Sequence, residues 1–166
     1  EGTLIKFSLM KGKTLEQFDI DENAYEDEIA KAFNKALHFL SYQMRSEYEV
    51  KKKLLDAGHG EAVVLEAIRK LENYGFLNDE TYSKALLETK KRTMKKGPRA
   101  IRQDLKKKGI DKSLQDEVLE TFTYEEQLDI AMQLAEKEVR AGNRKTPTQV
   151  KQKIQDVLMR KGYSFN

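Results

Sequence analysis

The stretch AIRQDLKKKGI, residues 100–110, recurs in outline at two other places in the chain. It aligns with EVKKKLLDAGH, residues 49–59, and with KIQDVLMRKGY, residues 153–163. In each copy two apolar residues stand four apart and a glycine follows four residues later, which is typical of a short amphipathic helix that ends at a glycine. Copies at this spacing predict a tandem array of helical repeats, although amphipathic helices can also look alike by chance.

Helix boundary signals surround these copies. Ser46, Thr123 and Thr146 are each followed three residues later by Glu or Gln, the spacing of a capping box. Apolar residues at helical spacing predict an earlier helix whose apolar stripe also includes His38, so we expect this histidine at the core or its boundary. Five glycines follow periodic segments and are expected in the left-handed conformation: Gly58, Gly75, Gly109, Gly142 and Gly162. Together these marks predict about eight helices.

The predicted fold class is all-α, with tandem three-helix repeats forming an elongated array. The boundaries are an N-terminal extension at 1–22, repeat one at 23–76, repeat two at 77–122 and an incomplete repeat three at 123–166. Within the extension, IKFSL at residues 5–9 alternates apolar and polar residues, so the extension is expected to be short and irregular or strand-like. The last helix of repeat three would begin where the sequence ends, so we expect a fragment.

Composition narrows the classes of function. Charged residues make up 36% of the 166 residues and hydrophobic ones 39%, with no cysteine and two histidines. This balance favours a helical protein of the cytoplasm, without disulfides, a metal site, a cofactor or a membrane segment. No Ser-His-Asp or paired-carboxylate pattern stands out, so we expect no catalytic residues and no enzyme activity.

Positive charge is concentrated in the middle repeat. Residues 84–112 hold twelve basic residues and three acidic ones. The candidate residues for binding an anion on DNA or on a protein partner are Lys91, Lys95, Arg99, Arg102, Lys106, Lys107 and Lys108. We expect Lys91 and Lys95 to share a face of one helix, and Arg99, Arg102 and Lys106 to share a face near the start of the next, where the helix N-terminus favours anions.

Two ligands fit this basic region: DNA phosphates and carboxylates on an acidic protein surface. The alternative to both is a solvated face that binds no ligand. Tyr82 and Phe76 fall at periodic apolar positions and are expected in the core, which leaves few aromatic residues for stacking on bases. Binding to naked DNA should therefore be weak, directed at the backbone and sensitive to salt.

Two longer stretches carry a family resemblance. LENYGFLNDETYSKAL, residues 71–86, followed by KKGPRAIRQDLKKKGI, residues 95–110, resembles the central signature of the RecX family of regulatory proteins. ALHFLSYQMRSEYEVKKKLLDAG at residues 36–58 and VLMRKGYS at residues 157–164 also match the family's pattern. The resemblance covers about residues 30–164 and rests on motifs more specific than a single short one.

The resemblance implies an all-α chain of three-helix repeats that acts without catalysis and without a cofactor. It implies a likeness in partner too: the RecA recombinase filament, with its single-stranded DNA, in whose helical groove the protein lies as a monomer. There it would inhibit or modulate the filament's ATPase and strand exchange during homologous recombination and DNA repair. The alternative is a general DNA-binding module of helix-turn-helix-like units that acts without RecA.

Overall fold

The structure is a computed structural model, and it describes residues 15–143 and 145–164, with side chains described from residue 22 onward. These residues form eight α-helices and no strand, which confirms the predicted all-α class. The helices are α1 (Leu15–Tyr42), α2 (Glu47–Asp56), α3 (Glu61–Asn73), α4 (Asp79–Met94), α5 (Pro98–Lys107), α6 (Lys112–Glu120), α7 (Tyr124–Ala141) and α8 (Pro147–Lys161). The strand-like segment predicted at residues 5–9 lies outside the described residues. No described helix is long and apolar enough to cross a bilayer.

Helix α1 begins earlier than the sequence suggests. Residues up to 22 are assigned to an irregular extension on sequence grounds, whereas the helix already starts at Leu15. No glycine or proline interrupts residues 15–42, and the acidic residues of the first turns favour a helix N-terminus. Residues 15–22 are therefore helical. The other repeat boundaries stay a prediction, and the described part of repeat three consists of α7 and α8.

The chain divides into two compact units. The first comprises the described residues up to Gln43 together with Val50–Phe76, and in it α1 packs against α3. Its buried apolar side chains come from α1, α2 and α3: Ile29, Ala32, Ala36, Val50, Leu54, Val63, Val64, Ala67, Ile68 and Leu71. The periodic positions Val50 and Leu54 are among the fully buried ones, as the sequence predicts.

His38 is exposed, so its predicted place at the core or core boundary is wrong. The buried α1 residues are Ile29, Ala32 and Ala36, at a spacing of three and four, and His38 lies outside that face. Its ring instead meets Tyr42 edge-on, with the Tyr42 hydroxyl 3.2 Å from Nε2.

Phe76 is also exposed, to 53%, against the expectation of a core position, whereas Tyr82 is buried as expected. Gly75 has φ +75° and turns the chain so that the Phe76 N–H donates to the Leu71 carbonyl at 2.8 Å. The Phe76 ring then lies at the edge of the first unit, 6.4 Å from the rings of Phe33 and Tyr74.

The second unit contains Met44–Glu49 and the described residues from Leu77 onward. Helices α4, α5 and α6 pack against one another, and α7 packs against α8. One hydrophobic cluster joins both groups: Tyr82, Leu87, Ile101, Leu105, Ile110, Val118, Leu119, Phe122, Ile130, Leu158 and Tyr163. Because the cluster takes residues from five helices of this unit, α5 is fixed on one side by buried contacts.

The predicted capping boxes are all present. Thr123 and Thr146 form reciprocal bonds with Glu126 and Gln149. At the start of α2, the Ser46 N–H donates to Glu49 Oε2 at 3.1 Å and the Glu49 N–H donates to Ser46 Oγ at 3.3 Å. These bonds satisfy amide groups that a helix start leaves without partners.

Four of the five glycines expected in the left-handed region lie there, and Gly142, with φ −86°, does not. The Gly142 carbonyl accepts a hydrogen bond from the Lys145 N–H at 2.8 Å. Lys95 has φ 53° and is left-handed instead, since the chain reverses tightly there and the Lys96 N–H donates to the Lys90 carbonyl at 3.1 Å.

Candidate functional site

Helix α5 presents its basic residues opposite a buried side. Gly97 precedes the helix and Pro98 occupies its first turn, where a missing N–H costs little. Ile101 and Leu105 have no exposed surface and join the core of the second unit. The opposite side of α5 is therefore held towards solvent by the packing of these two residues.

Three basic side chains of α5 are exposed and unneutralised: Arg99, Lys106 and Lys107. None of them forms an ion pair with a carboxylate of residues 22–143 or 145–164. We call these three residues the α5 basic surface. Because no carboxylate of the described residues neutralises these three cations, they are available to bind an external anion.

Arg102 and Lys108, in contrast, have internal partners. Arg102 forms an ion pair with Asp116 of α6. Lys108 Nζ lies 2.5 Å from Glu49 Oε1. Burial of the Glu49 carboxyl opposes its ionisation, but the hydrogen bonds from Lys108 and Ser46 outweigh it and hold the pKa of Glu49 below its ordinary value. Both cations thus stabilise contacts within the second unit.

Lys91 lies in the interior rather than on a binding face. Only 8% of this residue is exposed, and its Nζ lies 2.7 Å from Glu88 and 2.9 Å from Glu126. The ammonium group is also 5.5 Å from the centroid of the Phe122 ring, a distance at which a cation attracts an aromatic face. Lys91 therefore links α4 to α7.

Lys95 does not share a helical face with Lys91, because α4 ends at Met94 and Lys95 has left-handed backbone. Its Nζ donates to Gln133 Oε1 of α7 at 3.0 Å. The predicted common face of the two lysines is wrong for this reason. Their side chains nevertheless both reach towards α7.

Backbone carbonyls at the end of α8 already accept hydrogen bonds from the N-terminus of α5. These amides are therefore not free to bind an external anion, contrary to the prediction. The Gly97 N–H donates to the Lys161 carbonyl at 2.8 Å, and the Arg99 N–H donates to the Gly162 carbonyl at 3.1 Å. These carbonyls end α8, and we call the contact the α8–α5 junction, defined by residues 97–99 and 161–162. Amides that would hold an anion are used to hold the end of another helix.

The third repeat holds basic residues that the sequence argument missed. On α8, Lys151, Lys153 and Arg160 are exposed, and none pairs with a carboxylate in the described part of the chain. Residues 145–161 contain five basic residues and a single acidic one, Asp156. Counting charge in this window as well as in the middle repeat would have found them.

No group of three or more His, Asp or Glu side chains in the described ranges is arranged to hold a metal ion. His59 is one of the two histidines, and its Nδ1 lies 3.7 Å from Glu28 Oε2.

Comparison with known proteins identifies the family. Models of the first, second and third three-helix domains of RecX match residues 32–71, 78–119 and 125–166. Proteins named regulatory protein RecX from Bacillus velezensis and Bacillus subtilis are each 40% identical over 98% of this chain. The chain spans 62% of the length of these two relatives.

Solved structures agree with the sequence relatives. A crystal structure of RecX from Lactobacillus salivarius has a TM-score of 0.79 and 34% identity, with 84% of this chain and 91% of that one covered. A crystal structure of a regulatory protein RecX has a TM-score of 0.79 and 38% identity, covering 98% of this chain and 80% of that one. By its three matched domains, its sequence relatives and its fold, the chain belongs to the RecX family of regulatory proteins.

Proposed function

We propose that this chain regulates homologous recombination and DNA repair by binding the RecA nucleoprotein filament in its helical groove. There it inhibits or modulates the filament's ATPase and strand exchange, and it acts as a monomer in the cytoplasm without catalysing a reaction. Membership of a family of regulatory proteins supports the general role. The observation that carries the binding proposal is the α5 basic surface, whose cations have no carboxylate partner among the described residues.

A filament groove offers both candidate ligands of this surface. Within the proposal these are acidic side chains of its protein subunits and phosphates of its single-stranded DNA, and either can neutralise an exposed Arg or Lys. The other four candidate cations, Lys91, Lys95, Arg102 and Lys108, contribute by holding α4, α5 and α7 in place. Within the proposal, they position the α5 basic surface and do not contact the filament.

The test is the single-stranded-DNA-dependent ATPase rate of RecA as the chain is titrated in, with binding to naked DNA measured in the same buffer. We expect suppression at concentrations where naked DNA stays unbound, because weak backbone contacts alone do not hold the chain at physiological salt. Suppression only where the DNA is already saturated would show competition for DNA and favour the alternative, a general DNA-binding module. A flat titration would contradict the regulatory role of this chain.

Charge reversal tests the surface itself. Changing Arg99→Glu, Lys106→Glu and Lys107→Glu together should raise the concentration for half-maximal suppression by about tenfold, since three surface ionic contacts at about 0.5 kcal/mol each are lost. Helical content should not change, because the three side chains are exposed and unpaired. The measurement is the same ATPase titration with circular dichroism of each variant.

The matched control keeps the charge, with Arg99→Lys, Lys106→Arg and Lys107→Arg, and should suppress the ATPase as the parent chain does. Equal potency of the reversed and charge-preserving variants at low salt would show that the α5 basic surface does not contact the filament.

A further inference from the structure

Two basic residues of α8 have the same separation along the helix as two basic residues of α5. Lys153 and Arg160 are seven residues apart, so they share one face of α8 and lie about 10 Å apart along its axis. Arg99 and Lys106 have the same separation on α5. All four side chains are exposed and none has a carboxylate partner among the described residues.

The two helices meet at their ends. At the α8–α5 junction, hydrogen bonds of 2.8 and 3.1 Å join the last carbonyls of α8 to the first amides of α5. Lys161 Nζ also donates to the Met94 carbonyl at 2.7 Å, and the Tyr163 hydroxyl donates to the Lys95 carbonyl at 3.2 Å. Arg160 lies in the last turn of α8 and Arg99 in the first turn of α5. The two residues therefore flank the hydrogen-bonded junction.

We propose that Lys153, Arg160, Arg99 and Lys106 form one phosphate track, a row of cations that binds the backbone of single-stranded DNA. The proposal rests on the function proposed above for α5, adds the third domain to its binding surface and names the phosphate backbone as the ligand. Asp156, the single acidic residue of 145–161, lies on the same face between Lys153 and Arg160 and accepts a hydrogen bond from Gln152, so these three residues together add one net positive charge to the track.

A linear polyanion suits this arrangement better than an acidic protein surface does. Pairs of cations with the same separation on two helices that meet at their ends match a ligand whose charges repeat along a line. Residues 98–107 and 147–161 contain no aromatic side chain, so the track offers no platform on which bases stack. Recognition by the phosphate track is thus independent of base sequence.

The test uses the full chain with Lys153→Gln and Arg160→Gln, and a fluorescently labelled oligo(dT) as the probe. Fluorescence anisotropy between about 50 and 200 mM NaCl should show binding more than about tenfold weaker at the lowest salt, and a log–log salt slope shallower by about 1.4, the loss of two phosphate contacts on a single strand. The control is Lys35→Gln with Lys137→Gln, two exposed lysines outside the track. It should bind oligo(dT) as the parent chain does.

The same two variants are then tested for suppression of the RecA ATPase. Weaker suppression with unchanged oligo(dT) binding would overturn the phosphate assignment in favour of an acidic protein surface. No change in either assay, while reversal of the α5 basic surface weakens suppression, would overturn the track and leave the proposed function standing. An equal loss in the control would also overturn the track, because net charge alone would then explain the binding.

Discussion

Replacing Gly162 by alanine should lower the free energy of unfolding by about 2–5 kcal/mol. Gly162 has φ +92°, and a left-handed backbone costs a residue with a β-carbon about 1–2 kcal/mol. The new methyl group would also overlap the backbone of Ala100 at the α8–α5 junction, and such overpacking adds about 1–3 kcal/mol. Urea denaturation followed by far-UV circular dichroism measures the change.

Gly58→Ala is the matched control for this substitution. Gly58 has φ +90°, but a β-carbon there would meet no atom within 4 Å. It should therefore lose about 1–2 kcal/mol from backbone strain alone. If Gly162→Ala is no more destabilising than Gly58→Ala, the junction yields to the methyl group and is not tightly packed.

Replacing Leu105 by alanine should also lower the free energy of unfolding by about 2–5 kcal/mol. The Leu105 side chain is fully buried in the core of the second unit, so its removal loses apolar burial and leaves a cavity. Because Leu105 also holds the α5 basic surface towards solvent, suppression of the RecA ATPase should fail at a lower temperature in the variant. Urea denaturation and temperature-dependent ATPase assays test both parts.

The control is the same substitution at an exposed site of the second unit. Leu128 on α7 is 49% exposed, and Leu128→Ala should change the free energy of unfolding by no more than about 0.5 kcal/mol. Equal losses at Leu105 and Leu128 would contradict the assignment of α5 to a packed core.

The helices could be predicted because their signals are local. Capping boxes, periodic apolar pairs and helix-ending glycines act within a few residues, and they mark at least one end of α2, α3, α5, α7 and α8. The backbone conformations of Gly142 and Lys95 were not predicted, because the backbone at a turn depends on what the following helix packs against. The same holds for Phe76, whose exposure follows from the turn at Gly75.

The candidate site was harder to predict, because carboxylates from distant parts of the chain decide which cations are free. Lys91 is paired with a residue 35 positions away, and Lys108 with one 59 positions away. A charge count over 84–112 includes these lysines and Glu88, but it misses Glu126 and Glu49. The basic residues of α5 were therefore identified as a group, while the division into exposed and internally paired members needed the structure.

The α8–α5 junction also sets an order of events during synthesis on the ribosome. The amides at the start of α5 are translated at residues 97–99, but their acceptors on Lys161 and Gly162 emerge more than sixty residues later. At typical rates of elongation this delay is about 3–13 s. The described part of the first unit ends at Phe76 and is translated before this interval, and α4 and α6 can pack on α5 within it, whereas the Gly97 and Arg99 amides lack their acceptors until residues 161–162 are made. Nascent chains that stall in this interval would therefore leave the N-terminus of α5 without its hydrogen-bond acceptors.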